Sequence, residues 1–311
     1  MPTDIDTLID RRQMRRRLTL WRVAALVLFA VAAIAILSAA GAFSGLDKNS
    51  DQIARVPITG AITTDRELIA MLDRIAKNDS VKGVVLSINS PGGTAVGGEA
   101  IYEAVRRVAE KKPVAASVET LAASAGYMIA AASDHIVARR ASIVGSIGVI
   151  IQFPKFNELL DKVGVEVREV KSSPLKAEPS PFKPSAPGTE PMLQRFIDDS
   201  YDWFVDLVAE RRPFDRAAAL KLADGSIYSG GQGLENGLVD ALGGEREAKA
   251  WLVKKANLDE DIAMNTWKPR RPNNNPFGIR SFLRWVGEAT GLSHFVPERL
   301  FLDGLLAVWH D

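Results

Sequence analysis

From residue 53 onward the apolar positions change period in step with short polar breaks. "IARVPITGAI" (53–62) predicts a strand, and "DRELIAMLDRIAKN" (65–78) returns apolar residues at Leu68, Leu72 and Ile75, the spacing of one helix face. "VKGVVLSIN" (81–89) is a short apolar run rich in β-branched residues and predicts a buried strand. It stops at "SPGGTAVGG", after which helical spacing resumes through Ile101, Ala104, Val105 and Val108 to Lys112. "KPVAASV" (112–118) predicts another strand, followed by a short apolar helix within "LAASAGYMIAAASDHIVA" (121–138), then "HIVARR" and "SIGVIIQF". Strand and helix thus alternate from 53 to about 170, the pattern of an α/β fold with mostly parallel strands.

The pattern then breaks. "SSPLKAEPSPFKPSAPGTEP" (172–191) holds six prolines, which no helix interior or central strand tolerates, so a loop is expected. A long amphipathic helix follows, with Leu193, Phe196, Ile197, Phe204, Leu207 and Val208 on its apolar side, and "ADGSIYSGGQGLENGLVDALGG" (223–244) sets glycine turns between short elements. Residues 53–258 read as one domain. Residues 259–311, loop-like at "KPRRPNNNPFG" and apolar-periodic with basic residues beyond it, read as a C-terminal extension of unassigned role.

At the other end, "VAALVLFAVAAIAILSAAGAF" (23–43) carries no charged side chain. At about 1.5 Å rise per residue it spans roughly 30 Å, the hydrocarbon thickness of a bilayer. Arg11, Arg12, Arg15, Arg16, Arg17 and Arg22 precede it, and Asp47, Lys48 and Asp51 follow. That asymmetry predicts a single-pass anchor, with residues 1–22 cytoplasmic, 44–52 a linker and the body on the far side of the membrane. "SAAGA" offers the small residues of a signal-peptide cleavage site, but the apolar core of such a peptide is about 7–15 residues, shorter than this run.

Composition narrows the chemistry. Thirty-nine basic against 38 acidic residues, net +1, argue against a nucleic-acid partner held by bulk charge. Cysteine is absent, which excludes disulfides, thiolate metal sites and a cysteine nucleophile, and leaves the chain indifferent to an oxidising periplasm. Neither G-x-x-x-x-G-K-[ST] nor G-x-G-x-x-G occurs after "NSPGG" (89–93), so phosphate binding is disfavoured there; no cofactor and no metal are expected.

Ser124 stands where a strand gives way to a helix, and helix N–H groups can stabilise negative charge beside its hydroxyl. The same position suits a simple N-cap serine, and local context leaves both readings open. A nucleophilic serine needs a base. His135 lies at the far end of the same short helix, roughly 15 Å away at the helical rise, and His294 and His310 fall in the terminal extension, so a Ser-His-Asp triad is not expected. A desolvated lysine is the other supplier, and Lys176, flanked by Pro174, Leu175 and Ala177, is the candidate against the commoner solvated loop lysine. Ser146 in "VGSIGVI" offers a hydroxyl to orient it. "NSPGG" could aim N–H groups at an anion or be a plain turn.

Taken together, "SINSPGG", "AASAGYMIA", "GSIGVI" and "VKSSPLKAEPSPFKP" resemble the signal peptide peptidase A family, membrane-anchored serine peptidases of the protease IV type with a ClpP/crotonase-type fold. The resemblance runs from about residue 53 to 255. It implies Ser124 as nucleophile, Lys176 as general base, Ser146 as the hydroxyl positioning that lysine, and Gly93 and the N–H of Ala125 as oxyanion donors. Where the family reads Ser-Gly-Gly-Tyr this chain has Ser124-Ala125-Gly126-Tyr127, which keeps the N–H. Val149, Ile150, Ile151 and Gln152 stand where ClpP relatives carry a histidine, which favours a Ser-Lys dyad. A single motif set implies the short form, a homo-oligomeric ring in the bacterial inner membrane with an extracytoplasmic catalytic domain. Its expected substrates are signal-peptide remnants and other unfolded apolar peptides. A crotonase-like acyl-CoA enzyme and a non-catalytic membrane scaffold are the alternatives on the same fold.

Overall fold

Strands that read as near-continuous apolar runs need cover on both faces, and parallel strands in an α/β layer supply it. The computed structural model describes residues 21–29, 31 and 50–269. Within it β1 (Gln52–Thr59), β2 (Val81–Ser90) and β3 (Val114–Ala123) lie side by side in parallel. Four shorter strands, β4 (His135–Ala138), β5 (Ile143–Gly145), β6 (Ile227–Ser229) and β7 (Ala241–Leu242), extend the sheet on the β3 side. An eighth, β8 (Ala263–Thr266), pairs in parallel with β1 on the other edge, so the sheet continues past residue 258. Only β5 and β6 pair antiparallel. This is the expected α/β fold with a mostly parallel sheet.

The helices are α1 (Arg66–Lys77), α2 (Ala95–Ala109), α3 (Ala125–Ala131), α4 (Asn157–Val163), α5 (Thr189–Arg211), α6 (Arg216–Leu222), α7 (Gly230–Glu235) and α8 (Glu245–Ala256). Because side chains alternate along a strand, each central strand feeds two cores. Ala54, Val56, Leu86, Ile88, Ala116 and Val118 pack under α1, α2, α3 and α5. Ile53, Val85, Ala115 and Val137 pack under Ala248 and Leu252 of α8. Asp65 caps α1, its Oδ1 accepting from Leu68 N–H at 3.0 Å, and Thr94 caps α2 through Gly97 N–H at 3.1 Å.

Strand β3 changes neighbours along its length. Ala115–Val118 pair with β4, whereas Leu121–Ala123 pair with β5, and Ser142 Oγ bridges the fork by donating to the Glu119 carbonyl. The fork brings Gly145 opposite Ala123, at the mouth of the next helix.

Some local expectations fail for identifiable reasons. The first strand ends at Thr59 and not at Ile62, because Gly60 turns the chain at φ +77°. "SIGVIIQF" lies outside any strand. Strand β5 stops at Gly145 because Gly145 and Ser146 both take positive φ, +95° and +50°, which ends the extended backbone even though the Ser146 N–H still donates in register to the Ser226 carbonyl. In α5 the apolar burial is confined to the second half, through Phe204, Val205, Leu207 and Val208, while Phe196 is 63% exposed; in the first half only Thr189 is buried. Residues 21–29 are helical and belong to a separate N-terminal unit. No helix among the described residues is long and apolar enough to cross a membrane. Most of the expected 23–43 anchor lies outside the described residues, as do residues 270–311 of the extension.

An ion pair between a buried arginine and a partly exposed aspartate lies behind α3. Arg212, nearly buried, donates to both Asp240 oxygens at 2.8 and 3.0 Å and to the Gly237 carbonyl at 2.7 and 2.9 Å. Asp240 also accepts the Ile136 N–H at 2.7 Å, and the Tyr127 hydroxyl of α3 donates to the Leu238 carbonyl beside it at 2.9 Å. Burial alone would raise the Asp240 carboxyl, but the Arg212 guanidinium and the Ile136 N–H outweigh it and hold it below the usual aspartate value.

A carboxylate depressed in this way stabilises the fold above its unfolded pKa, about 3.9, and the contribution is lost as pH falls toward its folded value. Asp240→Asn should therefore lower stability at pH 7, by about 1–2 kcal/mol once solvent screening of the partly exposed carboxylate is allowed for, because the buried Arg212 loses its counter-charge. The deficit relative to the unsubstituted protein should shrink below pH 4 in urea titrations.

Candidate active site

The site is assembled from the C-terminal ends of β2 and β3. Ser90, the last residue of β2, is fully buried; its Oγ donates to the Gly60 carbonyl at 2.7 Å and accepts the Gly92 N–H at 3.1 Å. The next residues are pinned to Ile62, whose N–H donates to Gly92 O at 2.8 Å and whose carbonyl accepts Thr94 N–H at 2.9 Å. Flanking groups committed to one side leave the Gly93 N–H facing the other, since alternate residues of an extended chain present their polar groups to opposite edges. That N–H donates no hydrogen bond among the described residues.

Strand β3 delivers Ser124 against this turn. The Ser124 N–H donates to Gly145 O at 2.9 Å, and the backbone takes φ 54° and ψ −123° before α3 begins. Glycine populates that region readily and side-chain-bearing residues avoid it, at a cost of about 1–3 kcal/mol. The hydroxyl caps no N–H of α3, so Ser124 is not the simple N-cap serine that its position would suit. The Ala125 N–H, first of the helix, is also without a hydrogen bond among the described residues.

Two glycines allow this junction to close. A Cβ on Gly92 would stand 2.8 Å from Ser124 Cβ and 2.9 Å from the Ala123 carbonyl oxygen, and one on Gly126 would stand 2.9 Å from Ser90 O. The strand ends are thus in van der Waals contact, and the Gly93 and Ala125 N–H groups next to this contact are unused among the described residues. Such donors stabilise the oxyanion of a tetrahedral adduct when they are fixed in advance.

Ser146 follows Gly145, the acceptor of the Ser124 N–H, and is partly buried. Lys176 sits in the irregular segment between α4 and α5; its N–H donates to Ser173 O at 3.2 Å and its side chain is exposed. No hydrogen bond joins its amine to Ser124 or Ser146 within one chain. The structure therefore gathers Ser124, Ala125, Gly93 and Ser146 at one place and leaves Lys176 outside hydrogen-bond contact. Among the described residues four non-glycine residues have positive φ, and three of them are Ser124, Ser146 and Ala177, the neighbour of Lys176. His135 is engaged elsewhere, stacked on Trp251 at 4.8 Å with Nδ1 3.8 Å from Asp240. Ser90 and Gly92 are the contributors that motif reading passes over; the signal for them was the run "NSPGG" itself.

Comparison with known proteins places the chain among peptidases. The sequence profile described as peptidase family S49 matches residues 106–259, and the Clp protease profile matches residues 49–155. A candidate protease of Methanocaldococcus jannaschii is 43% identical over 236 residues, covering 76% of this chain and 75% of that one. A candidate protease of Synechocystis is 38% identical over 223 residues, covering 71% and 80%. A candidate signal peptide peptidase of Enterococcus faecium is 39% identical over 202 residues, covering 63% of this chain and 57% of its own length.

The packing predicts that Gly92→Ala is far more damaging to rate than to fold. A methyl group at φ +103° would push on Ser124 Cβ, and a displacement of about 1 Å at a nucleophile costs on the order of 10² in kcat. Steady-state peptide hydrolysis alongside circular dichroism checks this; wild-type turnover would show that the contact does not position Ser124.

Proposed function

Because the chain belongs to peptidase family S49 and is a serine-type peptidase, we propose that it is a membrane-anchored endopeptidase working through a Ser124–Lys176 dyad. One observation carries the proposal: Ser124 is held in a backbone conformation unfavourable to serine and packs against Gly92, while the neighbouring Gly93 and Ala125 N–H groups bond to nothing in the described chain. A structural serine has no need of that arrangement. In the proposed reaction Ser124 Oγ attacks the peptide carbonyl while the unprotonated amine of Lys176 takes the hydroxyl proton. The Gly93 and Ala125 N–H groups hold the oxyanion. The C–N bond breaks as the Lys176 ammonium returns the proton to the leaving amine, and water, deprotonated by the same lysine, releases the acyl group. Ser146 accepts a hydrogen bond that aims Lys176.

The exposure of Lys176 in one chain supports a dyad shared between protomers of a ring. Helix α4 buries none of its residues, and Leu159, Val163, Val165, Val167 and Val170 all stand open. An apolar arm of this extent marks an interaction surface. A second copy seated on it would cover the lysine-bearing loop and supply the desolvation a lysine base needs. Signal-peptide remnants and other unfolded apolar peptides fit an enzyme whose N-terminal apolar run would keep it at the membrane.

Ser124→Ala and Lys176→Arg should each cut kcat on the order of 10⁴-fold or more and leave only residual turnover, the first by removing the nucleophile and the second because guanidinium does not deprotonate near neutral pH. Mixing the Ser124→Ala and Lys176→Ala proteins should restore part of the activity, since some interfaces then hold both groups intact. Near-wild-type turnover by either single variant would remove that residue from the chemistry, and mixed rings with proven subunit exchange but no gain over the residual rate would place the dyad within one chain.

The anchor has its own test. Full-length protein should stay with membranes through carbonate washing, while a chain starting near Ser50 should be soluble and still cleave short peptides. A mature N-terminus near Ala42 would identify a cleaved leader instead.

A further inference from the structure

The segment between α4 and α5 has no regular secondary structure, yet it contains a fully buried carboxylate. The Glu178 side chain is 0% exposed. A charge placed there needs partners, because removing a carboxylate from water without them costs several kcal/mol. Glu178 has them. Its Oε1 accepts from Lys171 Nζ at 2.8 Å, with Lys183 Nζ 3.6 Å away. Its Oε2 accepts the Ala186 N–H at 3.3 Å, the Ser180 N–H at 3.4 Å and the Thr189 hydroxyl at 3.5 Å. Glu169 completes the network, accepting from Lys171 at 2.9 Å, from Lys183 at 2.6 Å and from Ser180 Oγ at 3.3 Å.

Two carboxylates and two ammonium groups balance, and this charge-neutral cluster encloses the stretch that carries Lys176. The contact of Lys171 with Glu178 closes residues 171–178 into a loop with Lys176 near its C-terminal end. Ala177, at φ +60°, turns the chain between Lys176 and Glu178. From Glu178 the connection runs through the Ala186 N–H, and the Ala186 carbonyl accepts the Thr189 hydroxyl at 2.7 Å and N–H at 3.1 Å at the start of α5, whose apolar second half is buried in the main core and packs against α3, the helix that Ser124 opens. Lysines 171 and 183 are both bound to carboxylates. Lys176, between them, has no ion pair among the described residues.

We propose that Glu178 is the positioning residue of the base: its buried carboxylate ties the Lys176 loop to α5 and so sets where the Lys176 amine stands. The inference rests on the reading of Lys176 as general base. The Lys171 ammonium, aided by the Ala186 and Ser180 N–H groups, holds Glu178 at about 2, and Glu178 in turn raises Lys171. The tie is therefore ionised throughout the neutral range and does not loosen where a peptidase works.

The test is a double-mutant cycle on the full-length protein, read as kcat and KM for a peptide substrate with thermal melting alongside. Glu178→Gln keeps the size of the side chain but loses the charge. It should lower kcat on the order of 10²-fold with KM unchanged, the cost of a misplaced catalytic group. In a Lys176→Ala background the same substitution should cost nothing further, because there is no amine left to place. Wild-type kcat in Glu178→Gln, a change confined to KM, or equal losses in both backgrounds would each overturn the proposal. Should Glu178→Gln not fold, Lys171→Met removes the same pair from its other member and carries the same expectations. Full activity in Lys176→Ala would overturn the reading of Lys176 itself, a result distinct from failure of the tie.

Discussion

Everything at the candidate site depends on the backbone of one residue, Ser124, staying at φ 54° and ψ −123°. Left to itself, a serine would relax out of that region, gaining about 1–3 kcal/mol. Here the relaxation is blocked from three directions. The Gly145 carbonyl holds the Ser124 N–H from the β5 side, and Gly92 leaves no room on the β2 side. Helix α3, every residue of which is buried, fixes the peptide that follows. Moving Ser124 would mean moving a helix through the core, where volume changes of a single methylene are already felt. The conformation is stable because its alternatives are worse.

The fork in β3 is what makes the first of those restraints available. A strand paired along its whole length with β4 would have no free edge for Gly145. By leaving β4 at Val118 and taking β5 at Leu121, β3 receives a fresh partner for its last turn before the helix. The same short strand delivers Ser146 one residue later, so a single pairing event sets both serines. The Gly93, Ser124 and Ser146 parts of the site are thus built from the sheet. In the proposed dyad the lysine arrives on a loop, which is why it would need a separate device to hold it.

Much of this was legible in order but not in space. The alternation of periods gave the α/β layer because strands buried on both faces leave a continuous apolar signature, as "VKGVVLSIN" does. The ends of elements were harder. "SIGVIIQF" has the composition of a strand, and only the positive φ of Gly145 and Ser146 shows why the strand stops. Phe196 and Phe204 lie on related faces of one helix pattern, yet only Phe204 meets the core, because the helix runs past the edge of the domain. Whether Ser124 was a cap or something else could not be read locally either. The answer is a backbone angle and an unused hydroxyl, neither of which leaves a trace in composition.

A lysine base poses a physical demand that one chain meets only in part. The amine must be sheltered from water to lose its proton near neutrality, yet Lys176 is exposed on a loop whose neighbours, Leu175 and the apolar residues of α4 and its sequel, are open too. The loop is nevertheless not soft: its carboxylates are consumed by Lys171 and Lys183, and its far end is fastened to α5. A loop rigid in itself but bare on one face is what an interface element looks like before its partner is in place. The ordering cost has been met within the protomer, so a neighbour that covers the apolar arm has only water to displace. On this account the surface that joins two copies and the surface that switches on the base are one and the same, and activity becomes a property of the assembly.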